Sequence, residues 1–217
     1  MEAIILIVVL IFSVVVHEVA HGWQARREGD DTAERLGRIT LNPIPHLDPV
    51  GSIVVPLVLY FSQAGFLFGW AKPVPVNPAN YRDLVPGDIR VSMAGIVSNL
   101  ILAALATIGA AVVMKADATL GPFGQTTDMM LTALDYGIII NLILAFFNLI
   151  PIPPLDGSHV LAHALPPHWA LRYREFGRYG ILVLMALLFL TPGVFGLLLW
   201  PVFFVRGLAD SFIRLWI

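Results

Sequence analysis

His17, Glu18 and His21 stand in the order His-Glu-Val-Ala-His. On a helix, residues four apart share a face, so His17 and His21 can both present imidazoles to one metal ion. Glu18 lies beside them, where its carboxylate can take a proton from a water activated by that ion. The three residues amount to most of a hydrolytic zinc centre. Two histidines do not complete it, because catalytic zinc takes a third protein ligand and keeps one position open.

Asp156 is the leading candidate for the third ligand. It follows Asn148-Leu149-Ile150-Pro151-Ile152-Pro153-Pro154-Leu155, where an apolar run stops in a proline-fixed turn. A plainer role is also open to it, since Asp before Gly-Ser and a helix through His163 is a good N-cap. Asp48 competes from Asn42-Pro43-Ile44-Pro45-His46-Leu47-Asp48-Pro49, although a turn role before Pro49 accounts for it. His159 and His163 form a second pair four apart, which could join Asp156 in a different site. That pair has no adjacent Glu to act as base.

The elements that carry these residues are apolar to an unusual degree. Of 217 residues, 58% are hydrophobic and only 13% are charged, against about 45–50% and about 25% in soluble proteins. Mean hydropathy is +0.81. A chain of this length cannot bury so much apolar surface in a water-solvated core, so part of it must face lipid. A net charge of −2 offers no basic field for nucleic acid, and the absence of cysteine excludes thiolate ligands, disulfides and Cys nucleophiles.

The expected fold is therefore an all-α polytopic membrane protein, one transmembrane domain over 1–217. Its expected spans are 3–23, 91–114, 131–150, 179–191 and 194–214. The first lacks the positive n-region of a signal peptide and reads as a retained span. Val91–Met114 runs 24 residues without a charge, enough to cross a core of about 30 Å. The last two form a hairpin turned at Thr191-Pro192-Gly193.

Lys and Arg place the loops. Segment 22–50 carries Arg26, Arg27, Arg35 and Arg38; segment 71–90 carries Lys72, Arg82 and Arg90; segment 151–178 carries Arg172, Arg174 and Arg178. The linker 115–130 carries only Lys115. The positive-inside rule puts the first three inside and the linker outside, with the N-terminus outside. Apolar 51–70 then starts and ends on one side, so it is expected to be re-entrant or interfacial, part of an irregular element over 36–76. Within it Leu36–Leu41 alternates apolar and polar residues and reads as a short strand. Gly37, Arg38, Ile39 and Thr40 could hold a substrate extended by edge pairing.

Together the His-Glu-x-x-His of the first span, Asn42-Pro43-x-Pro45-His46-x-Asp48-Pro49-x-Gly51, Gly69-Trp70-Ala71-Lys72-Pro73-Val74-Pro75-Val76 and the late Asn148-x-x-Pro151-x-x-x-Leu155-Asp156-Gly157 resemble the site-2 protease family of intramembrane zinc metalloproteases. The likeness covers about residues 10–165, in order. It implies one Zn2+ per chain, with His17, His21 and Asp156 as ligands and Glu18 as general base. It also implies that Asn148 lies near the metal, where its amide could donate to a developing oxyanion. Family members cut transmembrane helices of other proteins near the cytoplasmic face, which agrees with the charge count. The expected partners are transmembrane substrates and the bilayer, and the expected location is a prokaryotic plasma membrane.

Some features depart from the family pattern. The chain starts at the metal-binding span, leaves no room for the PDZ domain many members carry, and reads Ala94-Gly95-Ile96-Val97-Ser98-Asn99 where the family usually has a proline after the glycine. A different class of function remains to be weighed: an inactive relative that binds transmembrane helices, or a metal carrier. An inactive relative would be expected to have lost Glu18 or a ligand, and none is missing. A carrier needs ligands spread along a path, whereas these cluster at one depth.

Overall fold

A computed structural model describes residues 1–62, 69–121, 124–190 and 192–216. Helix α1 (Glu2–Glu28) is followed by the single turn α2 (Thr32–Arg35). A π-helical turn over Pro49–Val54 leads into the short α3 (Val55–Phe61). Then come α4 (Leu84–Leu120) and α5 (Gln125–Asn148). Beyond the proline turn lie α6 (Gly157–Ala164), α7 (Pro167–Phe176), α8 (Gly180–Leu190), α9 (Pro192–Leu198) and α10 (Trp200–Arg214). By length and composition, three of the described helices can cross a membrane: Glu2–Glu28, Leu84–Thr119 and Gln125–Asn148. This is an all-α membrane protein.

Those three helices contain the expected spans 3–23 and 91–114 and all but the last two residues of 131–150, and they pack on one another. Ala103, Ala110 and Ala111 of α4 form the buried core with Ile138 and Leu142 of α5 and with Val202 and Ile213 of α10. Alanines at these positions let the backbones approach closely, which is how apolar helices gain dispersion energy where lipid removes the hydrophobic incentive.

The C-terminal region differs from the expected hairpin of two spans. Leu184 of α8 and Leu198 of α9 pack in one cluster with Ile150 and Leu155, so α8 and α9 leave the proline turn and return to it. At 11 residues, α8 reaches about 16 Å, too short for a core of about 30 Å. The segment 194–214 is also broken rather than continuous, at Leu199, and α10 begins with Pro201 in its first turn. From there α10 runs back along α5: Arg206 pairs with Asp135, and Arg214 lines the same cavity as Glu2. The break residue Thr191 lies outside the described residues.

The expected strand at 36–41 is absent among the described residues, which form turns and bends there. Gly37 has φ 64°, in the left-handed region that ends a strand. Thr40 then spends its groups locally: its hydroxyl accepts from Asn42 N–H at 3.2 Å and its carbonyl bonds His46 Nε2 at 3.0 Å. Such side-chain turns outcompete a ladder. The two ends of 51–70 do meet, with Trp70 N–H donating to Gly51 O at 3.1 Å and Ser52 Oγ donating to Trp70 O at 2.8 Å. Residues 63–68 of this stretch lie outside the described residues.

Candidate metal centre

The helical spacing does place both histidines on one face of α1. His17 Nε2 and His21 Nε2 stand 3.1 Å apart, with the rings at 81° to one another. Asp156 Oδ2 lies 3.2 Å from His17 Nε2 and 3.4 Å from His21 Nε2. All three ligand atoms fall within 4.8 Å of one another.

Which nitrogen faces the centre is fixed from behind. His21 Nδ1 lies 2.7 Å from Val91 O, an acceptor only, so Nδ1 carries the proton and Nε2 presents its lone pair. His17 Nδ1 lies 2.6 Å from Asn99 Oδ1. The orientation of that amide follows from its other end: Asn99 Nδ2 donates to Asn141 Oδ1 at 2.7 Å, and Asn141 Nδ2 donates to Ser13 Oγ at 2.9 Å and Gly137 O at 2.8 Å. Two lone pairs and one carboxylate oxygen thus point at one another with no proton between them. Asp156 Oδ2 is buried and has no hydrogen-bond donor. A buried polar atom left so is costly unless a cation satisfies it, and a His, His, carboxylate set suits zinc. The residues fit the metal.

The N-cap alternative for Asp156 fails on geometry. Asp156 does precede α6, but its side chain makes no capping hydrogen bond and faces the histidines instead. Asp48 is accounted for by the plainer role, accepting from Val50 N–H at 3.0 Å and Gly51 N–H at 2.6 Å at the head of the π-helical turn. His159 and His163 do not join Asp156. They lie on Asp88, at 3.2 and 2.7 Å.

Glu18 sits beside the centre with one oxygen, Oε2, accepting from Val74 N–H at 2.7 Å. The strap that presents this N–H is held elsewhere: Arg38 donates to Lys72 O at 2.9 Å, Lys72 N–H to His46 O at 2.8 Å, and Asn77 N–H to Asp30 at 2.6 Å. Arg38, expected to line a substrate strand, is therefore a buried support for the Gly69–Val76 motif. Asn148 occupies the last turn of α5 and donates from Nδ2 to Leu144 O at 2.9 Å.

Sequence reasoning alone gave no role to Asn99, Asn141, Gly95, the carbonyl of Val91 or Asp88. A Cβ on Gly95 would stand 2.5 Å from both His17 Cε1 and His21 Nε2, so only glycine leaves room for the two rings. The asparagines carried a signal, since a carboxamide inside an apolar span needs a buried partner.

Apolar helices of membrane length that bring two imidazoles and a carboxylate together define a membrane metalloprotease centre. Comparison with known proteins agrees. The family model Peptidase family M50 matches residues 113–191, the stretch that ends α4 and includes Asn148 and Asp156. YwhC of Bacillus subtilis, named as a candidate zinc metalloprotease, is 39% identical over 212 residues, 97% of this chain and 90% of that protein. Rip2 of Mycolicibacterium smegmatis, named likewise, is 31% identical over 194 residues, 85% of this chain and 66% of that one. No solved structure matches the chain. The protein belongs to the site-2 protease family of zinc metalloproteases. Its cofactor is Zn2+, and the bilayer is its environment.

Proposed function

We propose that the protein is an intramembrane endopeptidase that cuts peptide bonds within or next to transmembrane helices of membrane-protein substrates, as a step in regulated intramembrane proteolysis. The observation that carries this reading is the position of the ligands: His17 and His21 belong to an apolar helix and are walled by α4, which also reaches the bilayer. A peptide bond that reaches them from a neighbouring membrane helix needs no aqueous path. His17, His21 and Asp156 hold the ion. When bound, zinc supplies a Lewis acid that polarises the scissile carbonyl and acidifies water.

Glu18 does the proton work. Val74 N–H fixes Oε2, which leaves Oε1 to accept a proton from the attacking water and return it to the leaving amide nitrogen. Asn148 has a second N–H on Nδ2 to offer the carbonyl oxygen as charge develops. The meeting of Gly51 and Trp70 supports a re-entrant 51–70, and with the Arg and Lys of 22–50, 71–90 and 151–178 it supports a centre facing the cytoplasm.

Purified protein in lipid vesicles with a model membrane substrate provides the test. Cleavage is expected with zinc and not after chelation. Glu18→Gln should keep its zinc, because all three ligands remain, and lose about 10²–10⁴-fold in rate, the usual worth of a general base. A Gln variant that cleaves near the parent rate overturns the assignment.

A further inference from the structure

The metal centre draws on one face of α4. Asp88, Val91, Gly95 and Asn99 follow at spacings of three and four, so they form a single stripe along that helix. Val91 O sets the His21 ring, Gly95 makes room for both rings and Asn99 sets the His17 ring. The fourth member, Asp88, reaches the third ligand's helix. It is 7% exposed. One of its oxygens, Oδ2, lies 2.7 Å from His163 Nε2 and 3.2 Å from His159 Nδ1, both on α6. Helix α6 has only eight residues, and Asp156 immediately precedes its first residue.

We propose that Asp88 is a positioning residue for the third metal ligand: by gripping His163 and His159 it sets where α6 starts, and so where Asp156 stands relative to His17 and His21. A helix this short has little stability of its own. The proline turn limits Asp156 from one side, and the Asp88 grip limits it from the other. His163, 9% exposed at its side chain, is the main contact; His159, at 51%, is the lesser. The proposal rests on the zinc-site reading above.

The test is metal binding, read with Co2+ added to metal-free protein in detergent, by its affinity and its visible spectrum. Asp88→Ala and His163→Ala should each weaken Co2+ by about 10–100-fold, the usual effect of losing a residue behind a ligand, and change the spectrum toward that of Asp156→Ala. The double variant should be little worse than either single one, because both remove the same grip. Asp88→Asn keeps an acceptor for His163 and should recover most of the affinity. His159→Ala should fall between it and the parent. Parent-like affinity and spectrum in Asp88→Ala would overturn the proposal, as would loss of the folded helical signal in both Asp88→Ala and Asp88→Asn, which would make Asp88 a support of the whole fold. If Asp156→Ala itself binds Co2+ like the parent, the zinc-site reading fails instead.

Discussion

Asn99 holds His17 at 2.6 Å from a position completely out of solvent, and Asn141 holds Asn99 in turn at 2.7 Å. The chain His17–Asn99–Asn141–Ser13 ties α1, α4 and α5 together at the metal with every buried amide satisfied on the sides that matter. Polar groups in such a setting are costly to strand, about 1–3 kcal/mol each. Asn99→Leu should therefore lower zinc affinity by about 10–100-fold and lower thermal stability too, since Asn141 loses its partner. Asn99→Asp, which keeps an acceptor for His17, should bind zinc better than Asn99→Leu. Equal zinc content in all three proteins, measured after dialysis against a graded chelator, would show that Asn99 does not orient the ligand.

Much of this was legible in the sequence because its signals are local. The spacing of His17 and His21 fixes their common face whatever surrounds them, and the long uncharged run at Val91–Met114 reads as a span on length alone. Asp156 was legible as the leading ligand candidate with a cap as its plainer alternative, and the side chain's missing capping bond and its approach to the histidines favour the ligand. The strand at 36–41 failed because period-2 alternation over six residues cannot see Gly37's positive φ or the Thr40–His46 bond. The C-terminal stretch was harder to read for a related reason. Apolar character persists through 179–205, but α8 and α9 return to Ile150 through side-chain packing that no period encodes.

Asp156 and Asp48 make a matched pair, both in proline-rich turns. Asp156→Ala removes a ligand and should co-purify with much less zinc than the parent. Asp48→Ala removes two backbone hydrogen bonds at a helix start and should cost about 0.5–2 kcal/mol of stability while zinc is retained. Metal analysis of the two purified variants checks this, and zinc loss in Asp48→Ala with retention in Asp156→Ala would reverse the assignment.

Asp30 should make the strap sensitive to acid. Burial alone would raise its pKa, but the hydrogen bonds from Thr32, Asn77 and Asn80 more than offset that and leave it lowered. A carboxyl lowered on folding contributes stability that is fully present above its unfolded pKa of about 3.9 and is lost as pH falls through the folded value. Melting temperature should thus fall on acidification below about pH 4, and Asp30→Asn should show a smaller fall from a lower starting point. The same variant loosens Asn77, three residues beyond the Val74 that holds Glu18, so it should slow cleavage while zinc stays bound. An acid profile identical to the parent's would remove Asp30 from this role.

The last prediction concerns which ends of the helices share a side. Arg82 N–H donates to Glu28 O at 2.8 Å, and Arg90 pairs with Glu28 at 2.7 Å, so the end of α1 and the start of α4 sit together. His163 on Asp88 adds α6 to the same end. Glu2 and Arg214 border one cavity at the other end, together with Met114 and Leu131. A hairpin of two spans over 179–214 would return the C-terminus to the metal side; α10 running back along α5 carries it away. Single cysteines placed in this cysteine-free chain can tell these apart by labelling in sealed vesicles. Positions in 24–50, 71–90 and 165–178 should react from the Arg-rich inner side. Positions in 115–121 should react from the opposite side, and so should Leu215. A C-terminus that labels together with 71–90 would mean that 179–214 crosses twice, and the return of α8 and α9 to Ile150 would have to be discarded.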